Sequence, residues 1–221
     1  SLGSPSGIVA LIHQDGLFDD PKGAAMRRAA YARLRWVFRF KNELELFADV
    51  HHLRPYVLTV SAASSAATTT SINYISNLYH PSTIDSSLAH DGLGSVPGIK
   101  TDDNDFEVHG HARRTLTVTD RELALFATLF DRPGTPPNEA RLPLVHSDLE
   151  LSVLRKLAQH PRRLRDLGDA VFGSDIWNET NAQKDGTIRR ESRRAKDTRD
   201  WILNGPHFYI SKPLNKCPRD P

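Results

Sequence analysis

The stretch Gly7-Ile8-Val9-Ala10-Leu11-Ile12-His13 decides the reading of the fold. Its five consecutive apolar residues, Ile8 to Ile12, are rich in branched side chains, the pattern of a strand buried on both faces. Buried parallel strands need helices beside them, and the next residues predict one. Asp20 suits a cap, Pro21 suits the first turn, and Ala24, Met26, Ala29, Ala30, Tyr31 and Leu34 make an apolar face through Arg35. Trp36–Phe40 then reads as a second strand and Pro55–Val60 as a third, with the excursion Asn42–Val50 between them. These two strands are too close for a helical crossover, so an antiparallel pair is expected. Strand, helix, strand, loop, strand is the closing half of a layered α/β sheet rather than a complete doubly wound domain.

Further along, Ser61–Ser71 is Ala, Ser and Thr without a period and reads as a loop or an edge, while Ile72–Leu78 reads as a short helix. Pro81–Thr101 is loop-like, and its Gly92-x-Gly94-x-x-x-Gly98 spacing lacks the strand-turn-helix context of a phosphate loop. Arg114–Val118 predicts a strand, followed by a helix capped by Asp120 that runs to Phe130, with Leu123, Phe126, Ala127 and Phe130 at helical spacing. The three prolines of Arg132–Asn138 mark a linker. Ser147 then caps a helix in which Leu149, Val153, Leu154 and Leu157 share a face, and Trp201–Leu203 and His207–Ile210 are strand-like. The expected organisation is a half-sheet over 1–60, an inserted irregular α+β region over 61–131, a linker over 132–143 and a basic helical region over 144–221.

Composition bounds the function. The 221 residues are 25% charged and 38% hydrophobic, and no apolar run reaches the roughly 18 residues of a membrane span. The single cysteine, Cys217, excludes an internal disulfide and a cysteine-based metal site, which points to a reducing, cytoplasmic setting. Ser1–Gly7 has no signal-peptide pattern, and with no initiator Met the chain is expected to start inside something larger. The net charge of +2 conceals an asymmetry: residues 1–140 hold 13 Lys/Arg against 16 Asp/Glu, and residues 141–221 hold 16 against 11. A polyanion would meet the C-terminal third, densest in basic groups from Lys184 to Arg199; a solvated surface is the competing reading of that run.

No complete catalytic set is visible. His51-His52 would point to opposite faces of a strand, and His109-x-His111 lacks a further ligand at metal spacing. There is no Gly-x-Ser-x-Gly elbow, no Walker sequence and no calcium loop. The more informative piece is Phe40-Lys-Asn-Glu-Leu-Glu-Leu-Phe47-Ala-Asp-Val-His-His52. In open α/β sheets ligands collect outside the carboxyl ends of strands, where the turn after Phe40 lies. Phe47 is therefore either a hairpin aromatic folded into the core or an aromatic wall for a flat, extruded base.

Several blocks carry a family resemblance: Ile8–His13 with Gly16-Leu-Phe-Asp-Asp-Pro-Lys-Gly23, Arg33 to Phe47, Ala89-His-Asp-Gly92 with Val96-Pro-Gly-Ile-Lys100, Trp177-Asn-Glu-Thr-Asn-Ala-Gln-Lys-Asp-Gly-Thr-Ile-Arg-Arg190, and Trp201-Ile-Leu-Asn-Gly-Pro-His-Phe208. Together they resemble N6-adenine DNA methyltransferases of restriction-modification type, in particular the segment after the catalytic loop and the start of the recognition region. The resemblance implies a partial Rossmann-like methyltransferase sheet, S-adenosylmethionine as the cofactor of the parent enzyme, double-stranded DNA as partner and a bacterial restriction-modification or phage-defence role. It implies a base-stacking role for Phe47, with Asn42 shaping its turn. Lys184, Arg189, Arg190, Arg193 and Arg194 would contact phosphates, and Asn178, Asn181 and Gln183 could read base edges. Ordinary turn chemistry around Asp185-Gly186 is the alternative for those amides.

The family's Asn/Asp/Ser-Pro-Pro-aromatic loop and Gly-rich cofactor loop do not occur in these residues. Since Ile8–His13 resembles the strand just after the catalytic loop, both are expected N-terminal to Ser1, on an N-terminal methyltransferase half. The chain alone is then expected to be inactive. The rival is a non-catalytic DNA-binding or assembly subunit of a split methyltransferase, and a degenerate remnant is a third reading.

Overall fold

Five strands form one mixed sheet in the order β1-β3-β2-β4-β5, with β1 at Ile8–Gln14, β2 at Leu34–Lys41, β3 at Pro55–Ala62, β4 at Ser71–Leu78 and β5 at Leu116–Thr119. The computed structural model describes residues 4, 7–63, 70–160, 162, 164–170, 178–187, 189 and 197. β3 pairs antiparallel with both β1 and β2, β2 pairs parallel with β4, and β4 pairs antiparallel with β5. The fold is α/β, and β2 and β3 are antiparallel as their short connection requires.

One face of the sheet presents Val37, Val57, Ile72, Tyr74, Leu116 and Val118 to a buried layer that includes Phe18, Tyr31, Leu123, Phe126 and Leu151. These come from helices α1 (Gly16–Asp19), α2 (Ala24–Tyr31), α4 (Asp120–Phe130) and α5 (Asp148–Gln159). The other face carries Phe38, Phe40, Ile75 and Leu78, with Ile84 of α3 (Ser82–Ala89) packed against them.

Ala140, Leu142 and Val145 belong to the first core although they lie in no strand. Buried backbone needs partners, and here side chains supply them. Arg27 donates to the Glu139 carbonyl, Tyr31 to Ala140, Arg39 to Leu142, Tyr74 to Pro143 and Ser76 to Val145. This explains why Arg27 and Arg39 are among the largest fully buried side chains.

Several elements differ from expectation. β1 is not covered on both faces: it is an edge strand, with Ile8 75%, Leu11 58% and Ile12 58% exposed. Ile72–Leu78 is not a helix but part of β4, because Ile72, Tyr74 and Ile75 bury fully when the strand sits between β2 and β5. A helix, α3, occupies part of the stretch read as loop. The predicted helix from Asp20 to Arg35 ends at Tyr31, and Met26 is exposed. Asp20 does cap the short turn that Pro21 opens. At α4 the cap is Thr119 rather than Asp120, in a box with Glu122. On α5, Leu149, Val153 and Leu157 stay about half-exposed; of the expected face Leu154 does pack against the core, together with Leu151, which the reading left out.

The chain divides into two units, Ser1–Pro161 and Arg162–Pro221, and the stretch 132–143 lies inside the first. The described part of the second unit contains a turn-like helix at Leu164–Ala170, broken at Gly168, and the short helix α6 at Glu179–Lys184. Among the described residues no helix is long and apolar enough to cross a membrane.

Candidate functional site

β1, β2 and β4 run in the same direction, so their carboxyl ends deliver Asp15, Asn42 and Tyr79 to one end of the sheet. The excursion 42–54 stands at this end. Asn42, fully buried, holds it: the amide nitrogen donates to the Phe47 carbonyl at 2.9 Å and the Val50 carbonyl at 2.6 Å, and the amide oxygen accepts from the Phe47 N–H at 3.1 Å. A short side chain with both a donor and an acceptor is what such a clamp needs. Glu45, just before the clamped stretch, takes a left-handed conformation at φ 52° and lets the chain turn there.

Phe47 does not fold into the core. It is 41% exposed, and its ring meets Tyr56 edge to face at 4.9 Å and 89°. Tyr56 stacks in turn on Phe40 at 5.0 Å and 4°. The three rings form a ladder rooted in the sheet, and the edge-to-face contact sets the orientation of Phe47 from below. Gln14 lies opposite Tyr56 in the β1–β3 register, which brings the carboxyl end of β1 to the same corner.

The same end of the sheet, on its opposite face, holds a charge cluster no sequence motif announced. Arg39, on β2, donates to Asp15 and, at 2.6 Å, to Asp19, and its guanidinium lies 5.8 Å from the Phe18 ring. Burial pushes the Asp15 carboxyl above its ordinary value, with Arg39 pulling it back. One Asp15 oxygen, Oδ1, is buried without a partner. The only trace of the cluster in the sequence is an Asp directly after an apolar strand.

A second polar nucleus lies beyond β4. Buried Arg114 donates to the carbonyls of Ser76, Asn77 and His109, and burial pulls its pKa down to about 10. It thereby satisfies the end of β4, where Asn77 turns at φ 53°.

The histidines do not assemble a metal site: no group of three or more His, Cys, Asp or Glu able to hold an ion occurs among the described residues. His51 and His52 sit in a turn with their rings stacked at 4.6 Å rather than on opposite faces of a strand, and His109 bonds Glu107. An open pocket between α4 and α5 is lined by Arg121, Glu122, Leu125, Arg155 and Gln159, but Arg155 and Glu122 already pair at 2.9 Å.

In the second unit Asn178 is the N-cap of α6, its side-chain oxygen accepting from the Asn181 N–H at 3.1 Å. Asn181, Lys184 and Arg189 are exposed and Gln183 is half-buried. Asp185-Gly186 forms a turn, with the Asp185 carboxylate accepting from the Thr187 N–H and Gly186 at φ 81°. Asn178 and Asp185 thus have local structural work to do. Arg190, Arg193 and Arg194 lie outside the described residues.

Comparison with protein-family models, with curated proteins and with solved structures finds no match to this chain.

Proposed function

We propose that this chain is the closing part of the catalytic domain of an S-adenosylmethionine-dependent DNA adenine N6 methyltransferase of a restriction-modification or phage-defence system. The observation that carries the reading is Phe47: a half-exposed aromatic, clamped by Asn42 and supported by Tyr56, at the carboxyl ends of three co-directional strands. Methylating an exocyclic amine inside a duplex requires the base to be extruded, and an extruded base needs a rigid ring to lie against. The Rossmann-like relation is supported by topology. β1 and β2 are parallel and joined by a helical crossover, and β3 inserts antiparallel between them, the manner in which class I transferase sheets close.

The cofactor and catalytic loops must come from residues other than these, so the chain supplies the base wall and the basic approach of its C-terminal third. The same absence favours a second reading, a non-catalytic DNA-binding or assembly subunit of a split methyltransferase. Transfer of a labelled methyl group from the cofactor to adenine in duplex DNA tests both. The expected result is no transfer by this chain alone and transfer when an N-terminal methyltransferase half carrying the cofactor and catalytic loops is added. Phe47→Ala then lowers the rate by roughly 5- to 150-fold, the equivalent of one base-aromatic stack. Transfer by the chain alone overturns the division of labour. If the pair neither transfers nor binds cofactor, the methyltransferase reading fails.

A further inference from the structure

Helix α5 carries apolar side chains on two sides. Leu151 and Leu154 pack into the first core, while Leu149, Val153 and Leu157 are 48%, 52% and 52% exposed. Their spacing of four residues sets these three in one ridge along the side turned away from the core, each about 5–6 Å from the next. A surface helix ordinarily turns its charges outward and its apolar stripe inward. In α5 the charges are drawn away from the outer side: Arg155 donates to Glu122 of α4, Asp148 accepts from Arg113, and Glu150 accepts from the His146 N–H at the start of the helix. What remains facing water is a continuous apolar line.

We infer that this ridge is a self-association surface, on which α5 of a second copy of the chain packs across a two-fold axis running parallel to the ridge. The flanks select both the occupant and its orientation. Glu150 stands three residues before Val153 and the exposed Lys156 three residues after it. At 3.6 residues per turn they lie about 60° to either side of Val153, one acidic flank and one basic. An axis parallel to the ridge carries each flank onto the opposite one, so Glu150 of one copy meets Lys156 of the other, twice. Leu149, Val153 and Leu157 then face their own counterparts, and the helices cross at the roughly 50° angle of packed i±4 ridges. An axis perpendicular to the ridge would set Glu150 beside Glu150 and Lys156 beside Lys156, a repulsive arrangement. A foreign helix would need the same ridge between the same two charges, and a second copy brings them by symmetry.

The surface is preformed. The Arg155–Glu122 pair at 2.9 Å ties α5 to α4, and Arg113 grips the Asp148 carboxylate at 3.0 and 2.9 Å, so the helix is held from both neighbours before any partner arrives. Little ordering is left to oppose association. The contact is also small. Three half-exposed aliphatic side chains from each copy fall short of the roughly 1,200–2,000 Å² of a stable interface, which places the dimer among weak, concentration-dependent ones. Its formation depends on α5 alone and on no property of a transfer reaction.

Sedimentation velocity on the full chain, over a series from low micromolar to several hundred micromolar, tests this. Monomer is expected at the bottom of the series and dimer at the top. Val153→Lys sets like charges on the two-fold axis and should weaken dimerisation by about 30-fold or more. Lys156→Glu, a change at an exposed side chain, should weaken it by roughly 3- to 30-fold, and Glu150→Lys likewise. Circular dichroism of each variant should match the native chain. Mixing the Lys156→Glu and Glu150→Lys proteins makes one copy acidic on both flanks and the other basic on both, so the mixture should dimerise where neither variant does alone. A dimer that survives both Val153→Lys and Lys156→Glu, or a mixture no tighter than its components, would overturn the inference. So would a chain that stays monomeric throughout; if Val153→Lys then lowered its melting temperature, the ridge would belong to another segment of the same chain.

Discussion

The two edges of the sheet are finished in different ways. β5 is four residues long, turns its apolar Leu116 and Val118 into the core and leaves Thr117 exposed, and passes directly into the capping box of α4. β1 is seven residues long, apolar toward both sides and exposed along most of its length. A sheet end that expects water is short, polar outward and quickly terminated; β5 satisfies each condition and β1 none. The difference teaches that exposure in a structure and adaptation to exposure in a sequence are separate properties.

The largest test concerns what holds β1 at all. Its side chains bury little, so its carboxyl end depends on Arg39 binding Asp15 and Asp19 while also satisfying the Leu142 carbonyl. Arg39→Ala leaves the buried Asp15 carboxyl without its partner, and the expected loss is about 3–5 kcal/mol in urea unfolding. A loss below about 1 kcal/mol would mean that β1 is anchored elsewhere. The next test puts the same truncation on both edges. Leu116→Ala is expected to cost about 2–4 kcal/mol because the side chain is buried in the main core, whereas Ile12→Ala costs less than about 0.5 kcal/mol in the chain alone. Equal costs would erase the comparison. A smaller effect is expected at the α4 cap that ends β5: Thr119→Ala, which removes the side-chain bonds to the Arg121 N–H and to Glu122, should cost about 1 kcal/mol.

How much of this was legible in the sequence depends on which force decides each element. β2, β3 and β5 were readable because each is a short run rich in branched or aromatic residues, although Val37 to Phe40 of β2 are buried in succession rather than in alternation. β4 was not: Ile72-Asn73-Tyr74-Ile75-Ser76 carries no clean period, since Asn73 and Ser76 lie inside the sheet and Ser76 bonds the Val145 carbonyl from a distant segment. Tertiary partners of that kind leave no local trace. The same holds for the 139–145 stretch, which follows the three prolines that argue for a linker and whose carbonyls are held by side chains from α2, β2 and β4. At the candidate site Phe47 and Asn42 could be picked out, because a hairpin excursion at a strand's carboxyl end is a local feature. Tyr56 could not, because its role depends on cross-strand register with Phe40.

The smallest effect lies on the β5 side and is a matter of pH. His146 sits next to Val145, which receives the Ser76 hydroxyl, and its Nε2 bonds the Pro97 carbonyl at 2.7 Å. Burial lowers its pKa below the ordinary 6.5 and the Arg114 charge adds to that, against weaker opposition from the Pro97 carbonyl and Glu107. The folded chain therefore binds fewer protons at this site than the unfolded chain, in which the imidazole titrates near its ordinary value. Its contribution is complete above about pH 6.5 and is lost as pH falls through the depressed folded value. Carboxylates such as Glu122, held below their usual range by hydrogen bonds from Thr119 and Arg155 that outweigh burial, add their own loss at still lower pH. The difference between the native chain and His146→Gln isolates the imidazole. Between pH 7.5 and 5.5 the native chain should lose stability relative to the variant, and the loss should appear as faster exchange in β4 and β5 while β1 stays unchanged. Parallel pH curves for the two proteins, or a loss spread evenly to β1, would mean that the buried polar nucleus beside Arg114 does not set the stability of that edge.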